Sequence, residues 1–226
     1  MTSIGPPTAD HFADKLRGFG PVGILAIVAI LSGNLLFAPL SGILVLVWAR
    51  RSRTPWHEIG YVRPRSWILG LIAGVVFGVA FKLLMKAIVM PLLGADPINH
   101  AYRHLVGNQA ALPGIMLQLI VTAGIFEETL YRGYMFERLG KLLGRGVGAK
   151  ISSVLITSAL FGPAHYIEQG LPGVQQATIF ALVFGTIFAI TGRLWVLMCA
   201  HAAFDLAALW IIYWDLEARV AHFFFQ

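Results

Sequence analysis

Apolar positions in this chain fall in long blocks, neither alternating nor confined to one helical stripe. A helix needs about 20 apolar residues to cross a bilayer, and the blocks that meet this lie near 21–49, 67–92, 112–136, 151–167, 174–191 and 194–214. The first block is longer than one crossing needs and is interrupted by Gly33-Asn34 and Pro39, so it is one tilted, kinked helix or two short ones. The fourth and fifth are short and are separated by the breaker cluster Glu168-Gln169-Gly170-Leu171-Pro172-Gly173. The pattern predicts an all-α, multi-span transmembrane helix bundle with about six spans, or seven if the first block is two helices. Residues 1–20 read as a polar N-terminal segment, 21–214 as one transmembrane helical domain and 215–226 as a short C-terminal tail, with no internal repeat.

Composition agrees. Hydrophobic residues make up 58% of the 226 positions and charged ones 12%, against about 45–50% and 25% in soluble domains. Seventeen basic and eleven acidic side chains cannot cover a soluble globule of this size, so the bilayer is the first expected partner. The net charge of +6 would suggest nucleic acid in a soluble chain, but the bases cluster between spans and no nucleic-acid partner is expected. The first apolar block exceeds a signal-peptide core of about 7–15 residues, so no cleaved signal is expected. Segment 50–65 carries Arg50, Arg51, Arg53, Arg63 and Arg65 against Glu58, and 137–150 carries Arg138, Lys141, Arg145 and Lys150 against Glu137. The segments 93–111 and 168–173 show no such excess. The positive-inside rule therefore places 50–65 and 137–150 in the cytoplasm. Lys82 and Lys86, one turn apart near a span end, are expected to snorkel.

An ionisable residue at the bilayer centre costs about 2.5–3.5 kcal/mol on insertion scales, which makes it a functional candidate. Three blocks contain such groups: Phe126-Glu127-Glu128-Thr129-Leu130-Tyr131-Arg132, Phe161-Gly162-Pro163-Ala164-His165, and His201-Ala202-Ala203-Phe204-Asp205. Glu128 and Arg132 are four apart, share a helix face and can pair. Glu127 points about 100° away, which leaves it free for acid/base work. His201 and Asp205 also share a face. Pro163 should break its helix and leave His165 at an irregular turn, and irregular backbone at depth must face protein or a water-filled cavity. Signatures of other proteases are missing: no GxSxG serine elbow and no HExxH zinc helix occurs in the chain. What remains is a Glu/His set suited to activating water. No cofactor is expected, but Glu, His and Asp are acceptable zinc ligands, so a zinc-dependent version stays open.

At these residues the sequence resembles the CAAX protease and bacteriocin-processing family, which includes the type II CAAX prenyl endopeptidases. Glu127-Glu128-x-x-x-Arg132, Phe161-x-x-x-His165 and His201-x-x-x-Asp205 are similar, in order, to its three motifs, and Trp56-His57-Glu58-Ile59-Gly60 before Arg63-Pro64 to its upstream segment. The resemblance spans about 112–214, the expected catalytic core. It implies a glutamate-dependent intramembrane endopeptidase acting on a membrane-associated protein or peptide. In it Glu127 and His165 would activate water, His201 and residue 205 would stabilise the oxyanion, and Glu128 and Arg132 would support the site. One departure is plain: the third motif often ends in Asn in the prenyl endopeptidases, whereas Asp205 stands here. Such a carboxylate would repel an oxyanion, so it is protonated or serves mainly to orient His201. The alternative from another class is a non-catalytic membrane adaptor or bacteriocin-immunity protein that keeps the same pocket for binding.

Overall fold

The computed structural model describes residues 8–36 and 38–225, and it is helical, with no strand among them. Nine helices follow in order: α1 Thr8–Arg17, α2 Pro21–Leu36, α3 Ala38–Arg51, α4 Trp67–Leu92, α5 Leu112–Leu143, α6 Val147–Phe161, α7 Tyr166–Thr191, α8 Trp195–Tyr213 and α9 Glu217–Ala221. Short 3₁₀ turns occupy Trp56–Ile59, His100–Leu105 and Pro163–His165. By length and composition, α4, α5, the run Val147–Thr191 and α8 are able to cross a membrane. The outer faces of these helices carry Ile68, Leu69, Val76, Leu155 and Ile190, each more than half exposed. Apolar side chains on the outside and polar ones within is the arrangement a lipid solvent selects.

The first apolar block is two helices, broken after Leu36. Gly33-Asn34 stays inside α2, and Pro39 stands in the first turn of α3, where its missing N–H costs no helical bond. α3 turns back along α2: Ser41 donates to the Ile30 carbonyl at 2.6 Å, and Trp48 Nε1 donates to the Leu16 carbonyl at 3.1 Å. The run Val147–Thr191 also folds back on itself. A Cβ on Gly162 would lie 2.0 Å from Thr178 Oγ1, and one on Gly185 would lie 3.4 Å from Val154, so α6 and α7 run antiparallel. Pro163 breaks the helix as expected. The cluster 168–173, expected to be a loop, is instead helical on either side of Gly170, whose φ of 62° permits the kink.

Close approach between helices is made by small residues, which let backbones touch where lipid gives no hydrophobic drive. Gly70, Gly74 and Gly78 line one face of α4, and a Cβ on Gly78 would stand 2.1 Å from the Ala200 carbonyl oxygen. On α5, Gly124 meets Ala202 and the Met198 carbonyl, which brackets His201 between its neighbours. These contacts fix the height of α5 against α8, and with it the site.

Polar groups divide the bundle into two ends. At one end Arg17 pairs with Glu58 at 3.5 Å, Arg138 donates to the Arg17 carbonyl at 2.8 Å, and Leu194 N donates to Gly60 O at 3.0 Å. At the other, Arg103 pairs with Asp215, Tyr102 donates to Glu168 at 3.1 Å, and Gly107 N donates to Tyr213 O at 3.0 Å. Burial and the adjacent Glu168 carboxylate push the Tyr102 phenol well above its ordinary range, so it stays a donor. Lys82 and Lys86 do not snorkel. Both point inward: Lys82 donates to Gln176 Oε1 at 3.0 Å, and Lys86 pairs with buried Glu217 of α9 at 2.9 Å. A partner inside removes the reason to reach for the interface.

Candidate active site

α5 is not a uniform α-helix where it carries the acidic pair. Residues Leu119–Glu127 and Thr129–Tyr134 are π-helical, with Glu128 at the junction. π-helical turns widen the helix and are frequent at functional sites. The wider turn does not separate Glu128 from Arg132, whose NH1 donates to Glu128 Oε1 at 2.8 Å. Both side chains are buried, Glu128 completely.

The same oxygen receives a second partner. His201 Nδ1 stands 2.7 Å from Glu128 Oε1, across 73 residues of sequence. A carboxylate paired with arginine only accepts, so Nδ1 carries the proton and donates it. Asp205, expected to hold His201, comes second: its Oδ2 is 3.7 Å from His201 Nε2, beyond hydrogen-bond reach, and its side chain is 25% exposed. Orientation of His201 therefore belongs first to Glu128. The i,i+4 pairing holds for Glu128–Arg132 and is only loosely met for His201–Asp205.

Aromatic rings wall the pair in. Phe180 lies 4.4 Å from the His201 ring, and the Arg132 guanidinium sits 5.1 Å from Phe161, 5.5 Å from Phe180 and 5.6 Å from Phe184. Cation–π attraction adds about 0.5–2 kcal/mol where water is excluded. The cage also restricts the imidazole to one orientation.

His165 ends the Pro163–His165 turn, half-buried, with its ring 4.8 Å from Phe161 and Nδ1 3.0 Å from the Phe161 carbonyl oxygen. A carbonyl only accepts, so Nδ1 carries the hydrogen, and in the neutral ring Nε2 is left as an acceptor. Glu127 is half-buried and makes no hydrogen bond or close ion pair with the described residues. It lies within electrostatic range of His165, His201, Asp205 and Glu128. The structure thus binds Glu128, Arg132 and His201 tightly together and sets Glu127, His165 and Asp205 around them without direct contact.

Several contributors escape a motif reading. Tyr131 ties α5 to α2 through Asn34 Nδ2, which donates to its hydroxyl at 3.1 Å. Thr129 donates to Ile125 O at 2.7 Å, so Tyr61 donates to Thr129 at 2.7 Å and links the Trp56–Gly60 segment to the residue after Glu128. Burial keeps the Tyr61 phenol above its ordinary value and protonated. A cue for the helix contacts was present in the Gly70, Gly74, Gly78 spacing; none marked Tyr61 or Phe180.

Zinc does not fit this geometry. Among the described residues no three His, Cys, Asp or Glu side chains converge where an ion could be held, and Glu128 and His201 Nδ1 engage each other.

No curated protein and no solved structure matches the chain. A family model described as type II CAAX prenyl endopeptidase, Rce1-like, matches residues 109–207, from just before α5 to within α8, and spans all six site residues. Over residues 109–207 this integral membrane chain is therefore similar to the Rce1-like type II CAAX prenyl endopeptidase family.

Proposed function

We propose that the chain is an intramembrane endopeptidase that hydrolyses a peptide bond of a membrane-associated protein or peptide, using water activated at Glu127 and His165. The observation that carries this reading is the division of labour between adjacent glutamates. Glu128 Oε1 is committed to Arg132 and His201, while Glu127 has no hydrogen-bond or ion-pair partner among the described residues and lies within electrostatic range of both histidines. A partnerless carboxylate at depth is costly unless it is used.

In this reading His165 Nε2 accepts a hydrogen bond from water and Glu127 takes its proton as the oxygen adds to the carbonyl carbon. The carbonyl π pair moves to oxygen and forms the oxyanion. The proton then passes from Glu127 to the amide nitrogen, the oxyanion re-forms the carbonyl as the C–N bond breaks, and a carboxylic acid and an amine leave. General-base help of this kind contributes about 10²–10⁴-fold. His201 serves the oxyanion through Nε2–H. Because Nδ1–H is given to Glu128, that second proton exists only on the imidazolium. The Asp205 carboxylate, 3.7 Å from Nε2, balances the charge. Asp in place of Asn at 205 is then compatible with an oxyanion donor, since the donor is His201. The basic segments 50–65 and 137–150 are assigned to the cytoplasm on charge bias.

The test compares new peptide termini by mass spectrometry in membranes of cells expressing wild-type protein or Glu127→Gln at matched abundance. Termini that arise only with wild type name the substrate and the cleaved bond. Identical termini, with both proteins folded and inserted, favour the non-catalytic adaptor. Chelation of a purified, active preparation is expected to leave cleavage unchanged, because no step uses a metal.

A further inference from the structure

Inside the bundle most buried charges are matched in contact. Glu128 has Arg132 and His201, and Glu217 has Lys86 at 2.9 Å and the Asn99 N–H at 3.1 Å. Among the described residues Lys82, like Glu127, is an exception. It is 7% exposed, on the α4 face that packs against α8, and its ammonium reaches only a neutral acceptor, Gln176 Oε1 of α7, at 3.0 Å. The ammonium also stands 4.8 Å from the centroid of the Phe204 ring, beside Asp205 in the chain. The charged groups that act on it are Lys86 on its own helix, Asp205 on α8 and Glu217 on α9. Glu217 pairs with Lys86, and Asp205 follows Phe204 on α8, so Asp205 is the site carboxylate on which Lys82 acts, without a direct ion pair.

A buried charge without a counter-charge is strongly destabilising, whereas replacing both members of a pair by neutral groups is often harmless. We propose that Lys82 is a positioning residue of the site, the fixed counter-charge that lets this chain carry a carboxylate at 205 beside His201. The inference rests on the peptidase reading above. Lys82 lies outside the segment 109–207. Its partners place it well: Gln176 precedes Phe180 by one turn of α7, and the Phe180 ring packs, tilted, against His201 with centroids 4.4 Å apart. Lys82 thus acts on Asp205 electrostatically from α4 and, through Gln176, braces the helix that walls in the imidazole.

The experiment is a double-mutant cycle on the full-length chain reconstituted in liposomes, with the substrate found by terminal peptide mapping. Wild type, Lys82→Met, Asp205→Asn, the double variant and Lys82→Arg are compared for kcat, KM and thermal unfolding. Each single variant is expected to lose about tenfold or more in kcat with little change in KM, as coupled neighbours do when one is removed. The double variant, which removes both charges, is expected to have a kcat no lower than that of Asp205→Asn alone and to unfold at a higher temperature than either single variant. Lys82→Arg should keep most of the activity.

Multiplying penalties in the double variant would overturn the proposal and make Lys82 a packing residue only. If Lys82→Met does not fold alone, folding of the double variant supports the pair, and its failure in both backgrounds contradicts it. Glu127→Gln run in parallel separates the two ideas. Activity retained there removes the peptidase reading, while the unfolding cycle still decides whether Lys82 and Asp205 are coupled.

Discussion

α5 carries two buried glutamates that each pair with an arginine of the same helix, Glu128 with Arg132 and Glu137 with Arg138. Glu137 also binds Lys141, so two cations saturate it near the end of the bundle. Glu128 binds Arg132 and a histidine from another helix, in an aromatic cage, and its neighbour Glu127 is left with no partner among the described residues. The difference teaches that a buried ion pair does not by itself mark a site. A site is marked where the pair leaves a reactive group unmatched beside it and holds a titratable ring toward it. In the proposed reading Glu137 stabilises a helix end, and Glu128 positions His201 for the chemistry.

Substitutions can sharpen or break this contrast. The largest effect is expected for Glu128→Ala, which leaves Arg132 buried without a counter-charge. Unfolding in detergent should show a loss of about 3–5 kcal/mol, with cleavage lost as His201 is released. Glu137→Ala removes a buried pair whose second cation, Lys141, is partly exposed and should cost about 1.5–3 kcal/mol with cleavage per folded molecule retained. Equal loss of specific activity in both variants would erase the distinction between the two pairs. Gly78→Ala puts a methyl group against the Ala200 carbonyl; overpacking of this kind costs about 1–3 kcal/mol. It should lower kcat modestly by shifting α8, and unchanged kinetics would mean that the α4–α8 contact does not set the height of His201. Ser66 caps α4 by accepting from Leu69 N at 3.2 Å. Ser66→Ala should cost about 1 kcal/mol and leave cleavage untouched.

The spans and the acid–histidine set were legible in the sequence for one reason: charged groups stand out in apolar runs. Local spacing also gave Glu128–Arg132 and the break at Pro163. Contacts distant in sequence were not legible. His201 finds Glu128 73 residues away and Lys86 finds Glu217 131 residues away, and an i,i+4 rule sees neither. That is why Asp205 was expected to orient His201 and why Lys82 and Lys86 were expected to snorkel. The π-helical turns of α5 leave no compositional trace, since they change which carbonyl each N–H finds and not which residues are apolar. The fold-back of α3 on α2 was left undecided by Gly33-Asn34 and Pro39, which suit a kinked helix as well as a turn.

The central claim is that Glu127, not Glu128, meets the water. Its most direct test measures single-turnover cleavage by purified Glu127→Gln in liposomes, beside wild type, with thermal unfolding recorded on the same samples. The account predicts an unfolding temperature equal to that of wild type and cleavage lower by about 10²–10⁴-fold, the range for loss of a general base. A folded Glu127→Gln protein that cleaves at the wild-type rate would contradict it.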